Sequence, residues 1–259
     1  NGFKVTGIGP SAFRSNPRLR AVAIPDGVTS IGTFAFKNCT KLKLVEIPDS
    51  VTGIGSGCFR NCVGLSGIRL PDGLSRVAHA TFMDCTGLKA MIIPDGVTDI
   101  GQNAFQGCTS LEKVAIPSSL TGLGPDVFAN CHSLKSINVA PLNSFFSTID
   151  GSLFDKSQST LLRVPGGKAG SFVIPGGVTA IGDRAFSNCY RLTEVTIPGT
   201  VTQVGGSAFM SCTSLTRVAI PDSVSSFGEK AFSGCSKLKD AALPSGLTAI
   251  AGFLFSDCN

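Results

Sequence analysis

Histidine is nearly missing from this sequence: His79 and His132 are the only two in 259 residues. Zinc sites draw on close Cys or His pairs, and a Ser-His-Asp or Cys-His nucleophile needs a histidine beside its partner. His79 falls at a variable position and His132 follows a cysteine in a loop, so each reads as a solvated side chain. Charge is sparse as well, at 15% of residues. The net is +5, yet no run of Lys or Arg along the chain reaches the density of a nucleic-acid or anionic-lipid site. Long apolar runs are absent. The most apolar window, 241–255, is interrupted by Pro244, Gly246 and Gly252, which makes it a core segment and not a membrane span. A leader peptide is not expected at the start either, because the chain begins inside a repeating pattern. No glycine-rich phosphate loop occurs, since each Ile-Gly pair belongs to that pattern.

What is present is periodic. Prolines fall at 25, 48, 71, 94 and 117, and again at 175, 198, 221 and 244, with a step of 23 inside each block. Around them one frame returns, I-P-x-x-V-x-x-I-G-x-x-A-F-x-x-C-x-x-L-x-x-V-x, as in "IPDGVTSIGTFAFKNCTKLKLVE" (24–46). A first unit enters mid-frame at Val5, Ile8, Phe13 and Leu19, with Asn16 in the cysteine column, and the last stops at Cys258.

Within the frame, "LKLVEI" (42–47) alternates, with Val45 and Ile47 pointing inward and Leu44 and Glu46 outward. Pro48 cannot donate to a ladder and ends the strand. The following Pro-Asp-Gly type of sequence suits a type I turn with proline second. The V-x-x-I and A-F-x-x-C steps then fit tight turns or short 3₁₀ segments. A single 23-residue coil buries too little apolar surface alone, whereas stacked coils share a core. The pattern predicts a parallel-stranded solenoid of about ten turns.

The L-x-x-L-x-L core and the "IPxxVxxIGxxAFxxCxxLxxV" form resemble the BspA-like, or Treponema-type, leucine-rich repeat over nearly the whole chain. The resemblance implies an α/β leucine-rich-repeat solenoid with a parallel sheet on its concave face, short 3₁₀ or turn segments on its convex face and little regular helix. It also implies a secreted or cell-surface protein that binds other proteins, often as an adhesin. Residues 1–259 read as one such solenoid, with regular repeats over 1–138, an irregular module over 139–173 and regular repeats over 174–259. Asn1 and Asn259 carry no capping sequence, so the chain reads as part of a longer array.

The irregular module separates Pro117 from Pro175 by 58 residues. In it, "FSTIDGSLF" sets Asp150-Gly151 between two alternating runs, a two-residue hairpin signal. "TLLRVP" and "GSFVIP" supply two further strands. The module also resembles a recurrent insertion of the same family. As an enzyme site it offers only Asp150, Asp155 and Lys156 for acid-base work.

Nine cysteines occupy one column, at 39, 62, 85, 108, 131, 189, 212, 235 and 258, and Cys58 takes the place held in other coils by Ala35, Ala104, Ala185, Ala208 and Ala231. They are spaced one per coil, unlike zinc ligands. A column of nine sharing one direction cannot pair completely into disulfides. Inward Phe and Leu flank them, unlike the electropositive setting of a reactive thiol. They read as small hydrophobes filling the coil edge, beside a spine of Phe13, Phe36, Phe59, Phe82, Phe105, Phe128, Phe186, Phe209, Phe232 and Phe255. Asn38-Cys39-Thr40 is formally a glycosylation sequon.

Function is left to the outward strand positions, which vary between coils while the inward ones repeat. One column holds Leu44, Lys113, Leu161, Glu194, Arg217 and Asp240, and its neighbour Glu46, Arg69, Ile92, Asn138 and Arg163. Large apolar and Arg residues carry interface energy, so Leu44, Glu46, Arg69, Ile92, Lys113, Asn138, Arg163, Glu194, Arg217 and Asp240 form the candidate docking face. The expected partners are proteins, extracellular-matrix or microbial surface proteins among them, with no nucleic acid, cofactor or metal. The competing reading is a structural spacer that displays another domain.

Overall fold

The computed structural model describes residues 4–258; Asn1 and Asn259, where capping units were sought, lie outside them. The chain is a parallel-sheet solenoid without helix among the described residues. It divides into two compact units. The first comprises residues up to 133 with Asn138–Ser144, and the second Leu134–Ile137 with residues from 145 onward.

In the first unit the expected strands pair in register, Ala21–Ala23 with Leu44–Glu46 and Ala90–Ile92 with Lys113–Ile116. Val45, Met91 and Val114 point into the core, as the alternation requires. The Ile-Gly positions, expected to lie in turns, form a second parallel ladder of two-residue strands. Gly7–Ile8, Ser30–Ile31 and Gly53–Ile54 are one set, and Arg76–Val77, Asp99–Ile100 and Gly122–Leu123 another. The glycine after Ile31, Ile54, Ile100 and Leu123 follows from close approach. A Cβ on Gly55 would stand within 2.8 Å of Thr33 backbone atoms in the preceding coil.

The proline turn differs from the expected one. Its hydrogen bond runs from the Val51 N–H to the Pro48 carbonyl, so proline opens the turn instead of standing second, and the same holds at Pro25, Pro94, Pro175 and Pro198. The return path is made of tight turns, but with a distinctive alternation. Ala35, Lys37 and Cys39 donate to Gly32, Phe34 and Phe36 of their own coil, while Phe34, Phe36 and Asn38 donate to Ser56, Cys58 and Arg60 of the next. A 3₁₀ run would direct every N–H inward along its own chain. Left-handed backbone at Phe34 (φ 57°) and Asn38 (φ 62°) turns alternate N–H groups outward. Asn, Asp or Gly before most ladder cysteines supplies that conformation at low cost.

Inside, the phenylalanines stack face to face. Centroids stand 5.1–5.8 Å apart from Phe13 to Phe128 in the first unit, and 4.6–5.3 Å apart from Phe186 to Phe255 in the second.

The second unit opens with the hairpin. Phe146–Ile149 pairs antiparallel with Ser152–Asp155 around Asp150 (φ 47°) and Gly151 (φ 72°), the geometry of a type I′ turn. Thr160–Arg163 then runs antiparallel to Ser152–Asp155 and parallel to Ala180–Ile181, so it joins the short-strand ladder. Gly170–Val173 takes the long-strand position beside Leu192–Thr196, which in turn pairs with Arg217–Ala219.

Candidate functional site

The thiols come first, because ten cysteines are the chain's most reactive inventory. All are free, nine are buried and Cys258 is half-buried. Burial pushes Cys62 up to about 12 and Cys189 up to about 11, and raises Cys58, Cys85 and Cys108 well above the ordinary thiol value. At these five positions thiolate chemistry is therefore suppressed at neutral pH. The structure adds a role beyond filling space. Each column thiol but Cys189 donates to a phenylalanine carbonyl of the preceding coil: Cys62 Sγ to Phe36 O at 3.1 Å, Cys85 to Phe59 at 3.0 Å and Cys108 to Phe82 at 3.1 Å, with Cys212 and Cys235 alike at 3.1 Å; Cys189, which follows the irregular module, reaches Val164 O at 3.8 Å instead. Only the spacing of Phe and Cys, three apart in every coil, hinted at this pairing.

The acid-base residues of the insertion are engaged structurally. Asp150 pairs with Lys168. Asp155 accepts from Ser157 Oγ (3.0 Å), Ser159 Oγ (2.7 Å) and the Thr160 N–H (3.0 Å). Partial burial pushes its carboxyl up, but these hydrogen bonds outweigh that and hold it below the usual range. Burial lowers the His132 imidazole, and His79 is exposed. No group of three or more His, Cys, Asp or Glu is arranged for a metal among the described residues.

The outward strand residues divide by unit. In the first, Leu44 is 51% and Ile92 75% exposed, and Glu46 and Lys113 are also exposed. Arg69 stands on the coil between those of Leu44 and Ile92, in the same row as Ile92. Asp49 (2.8 Å) and Asp72 (3.0 Å) brace its guanidinium, and that contact lowers the Asp49 carboxyl. Around Arg69 the ladder parts. No backbone group of residues 67–70 bonds a neighbouring coil among the described residues, although Lys89 N–H still reaches Ser66 O. Two shallow clefts open there. One of about 370 Å³ lies between Leu44–Ile47 and Gly67–Arg69, and one of about 410 Å³ between Gly67–Leu70 and Asp72, Ala90, Ile92 and Pro94. Asn138 is exposed.

In the second unit Glu194 and Arg217 face each other in register, 3.9 Å apart, and Arg217 is bridged through the backbone to Asp240. Arg163 does not belong to this face. It is 8% exposed and donates to the carbonyls of Arg184 (2.9 Å) and Ser187 (3.2 Å). The hairpin is the reason: it delivers Thr160–Arg163 to the short-strand ladder, where Leu161 is buried too. A frame carried unchanged through the irregular module assigns both residues to the wrong sheet.

A family model described as "BspA type Leucine rich repeat region" matches in six copies over residues 6–135, 52–169 and 165–259. No curated protein matches. Among solved structures, a leucine rich cell surface protein from Faecalibacterium prausnitzii A2-165 is 32% identical with a TM-score of 0.75, over 99% of this chain and 75% of that one. A leucine-rich repeat protein from Bacteroides ovatus is 28% identical with a TM-score of 0.56, over 99% of this chain and 81% of that one. The T. pallidum leucine-rich repeat protein is 26% identical with a TM-score of 0.51, over 96% of this chain and 91% of that one. The 23-residue frame, its phenylalanine spine and its cysteine column are thus those of a shared repeat, and the chain belongs to the BspA-type leucine-rich repeat family.

Proposed function

We propose that this chain is a non-catalytic protein-docking module of a secreted or cell-surface protein, and that it docks through the exposed face of its long-strand sheet. The parted ladder carries the reading. Two large apolar side chains, Leu44 and Ile92, stand in solvent on either side of a braced arginine, over clefts that no side chain fills. Exposed apolar groups rimmed by polar ones mark interaction sites, and a fixed Arg flanked by apolar anchors matches the composition of binding hot spots. Family membership supports an interaction role, and the cell-surface description of the Faecalibacterium protein supports an extracellular one. The partners in view are extracellular-matrix and microbial surface proteins.

The test is a solid-phase screen of the chain against such proteins, with Arg69→Glu alongside. Saturable binding that the substitution removes supports the reading. If no panel member binds saturably, or if Arg69→Glu binds every partner as the parent does, the docking role fails and a structural spacer takes its place.

A further inference from the structure

Charge is distributed very unevenly along the repeats. Segments 9–23, 32–45 and 55–68 contain seven Lys and Arg and no Asp or Glu, against a net of +5 for the whole chain, so the remainder is net acidic. The stacking places these cations side by side. Ser15 N–H donates to Lys37 O, Asn38 N–H to Arg60 O and Lys43 N–H to Arg20 O. The 23-residue register therefore sets Arg14, Lys37 and Arg60 in one row, Arg18 with Lys41 in a second, and Arg20 with Lys43 in a third. Successive coils lie about 4.8 Å apart. All three rows border the corner where the return path enters the strand, outside the sheet face proposed for docking.

Like charges side by side on adjacent coils cost stability, and carboxylates do little to relieve them. Among the described residues, Arg14, Arg18, Arg20, Lys37, Lys41 and Lys43 have no carboxylate partner, and Arg60 reaches Asp84 only at 4.0 Å. Phe34 stands at the centre. Its ring holds Lys37 Nζ at 4.9 Å and Arg14 Cζ at 6.0 Å from the centroid, and its other neighbour is Gly57, where a Cβ would collide with the ring. A phenylalanine at φ 57° is strained. Strain and crowded like charge thus meet at one point. Burial, then Arg60 and Arg14, depress the Lys37 ammonium.

We propose that this basic corner of the first unit binds an acidic polysaccharide, its sulfate or carboxylate groups lying along the three rows of cations. The shape of the site selects this class of polyanion. Single-stranded nucleic acid is held by aromatic platforms that stack on bases, but the chain has no Trp and the ring of Phe34 is already enclosed by Gly57 and two cations. Anionic bilayers are bound by basic amphipathic helices, and no helix occurs among the described residues. A flat strip of cations repeating at coil spacing fits a linear chain with regularly spaced charges.

The whole chain is titrated at physiological ionic strength with a heparin oligosaccharide, its desulfated form, oligo(dT) and phosphatidylserine vesicles. Heparin binds saturably, and the desulfated chain, which keeps only its carboxylates, binds more weakly. Lys37→Ser with Lys41→Ser and Lys43→Ser weakens binding by about tenfold or more and lowers the slope of log affinity against log salt by about 2–3, by analogy with counterion release from nucleic acids. Arg18→Ser with Lys41→Ser, at two exposed positions, gives a smaller loss of the same kind. Phe34→Gly, which suits the left-handed backbone, weakens heparin without changing that slope. The proposal is overturned if heparin does not saturate, if the lysine variant binds as the parent does, or if oligo(dT) or the vesicles bind more tightly than heparin.

Discussion

Raising the pH should unfold this protein through its interior. Five buried cysteines, at 58, 62, 85, 108 and 189, are held well above the ordinary thiol value of 9.0, with burial as the main cause in each. In the unfolded chain they ionise near that value; in the folded chain they stay protonated. Because the folded state keeps more protons at alkaline pH, stability falls as pH rises. Their contribution is whole below pH 9 and is lost progressively from pH 9 toward the folded values near 11 and 12. At pH 10 each unfolded thiol gains about 1.4 kcal/mol by ionising, so the five together remove roughly 7 kcal/mol, which is comparable to the whole stability of a typical domain. The assay follows thiolate absorbance and far-ultraviolet circular dichroism together under reducing conditions. Both signals should change in one cooperative step between pH 9 and 11. Thiolate appearing near pH 9 while the dichroism stays native would refute the buried, protonated ladder.

Three further outcomes follow from named contacts. Cys108→Ser should be no more destabilising than Cys108→Ala, each costing about 1–2 kcal/mol in a urea midpoint, because the Phe82 carbonyl 3.1 Å away accepts a hydroxyl as it accepts the thiol; a serine penalty well beyond that of alanine would mean the carbonyl is not used. Phe209→Ala, between Phe186 at 4.6 Å and Phe232 at 4.9 Å, should lower stability by about 3–5 kcal/mol in chemical denaturation. Since the Asp155 carboxyl is held below its ordinary range, its stabilisation is present above the unfolded carboxylate pKa and lost as pH falls through the folded value. Asp155→Asn should therefore flatten the acid limb of the melting profile.

The sequence reveals the fold wherever a residue must repeat to keep its place. Val45, Phe36 and Cys39 recur each 23 residues because each coil offers the same buried slot, and the structure buries all three. The Asp150-Gly151 hairpin is legible for a local reason, the two consecutive left-handed residues it needs. Three features resist such reading. The second ladder is built from backbone alone, and its two-residue strands leave no alternation to detect. Arg163 leaves the open face because the hairpin shifts its strand to the other ladder, a tertiary effect with no local mark. The basic corner is invisible along the chain, where Arg14, Lys37 and Arg60 are 23 residues apart, and emerges only when coils stack. On the candidate face, alternation places Leu44 and Ile92 outward correctly. It gives no warning that residues 67–70 leave the ladder between them.

The central claim is that strand residues divide into those that build the core and those that meet a partner. Ile92 and Met91 are adjacent, one 75% exposed and the other 2%. The most direct test is the binding isotherm of Ile92→Ser against a matrix or microbial surface protein that the parent chain binds. The account predicts an affinity loss of at least about tenfold, the weight of a single interface anchor, with an unchanged melting midpoint. An isotherm that superimposes on that of the parent would contradict it.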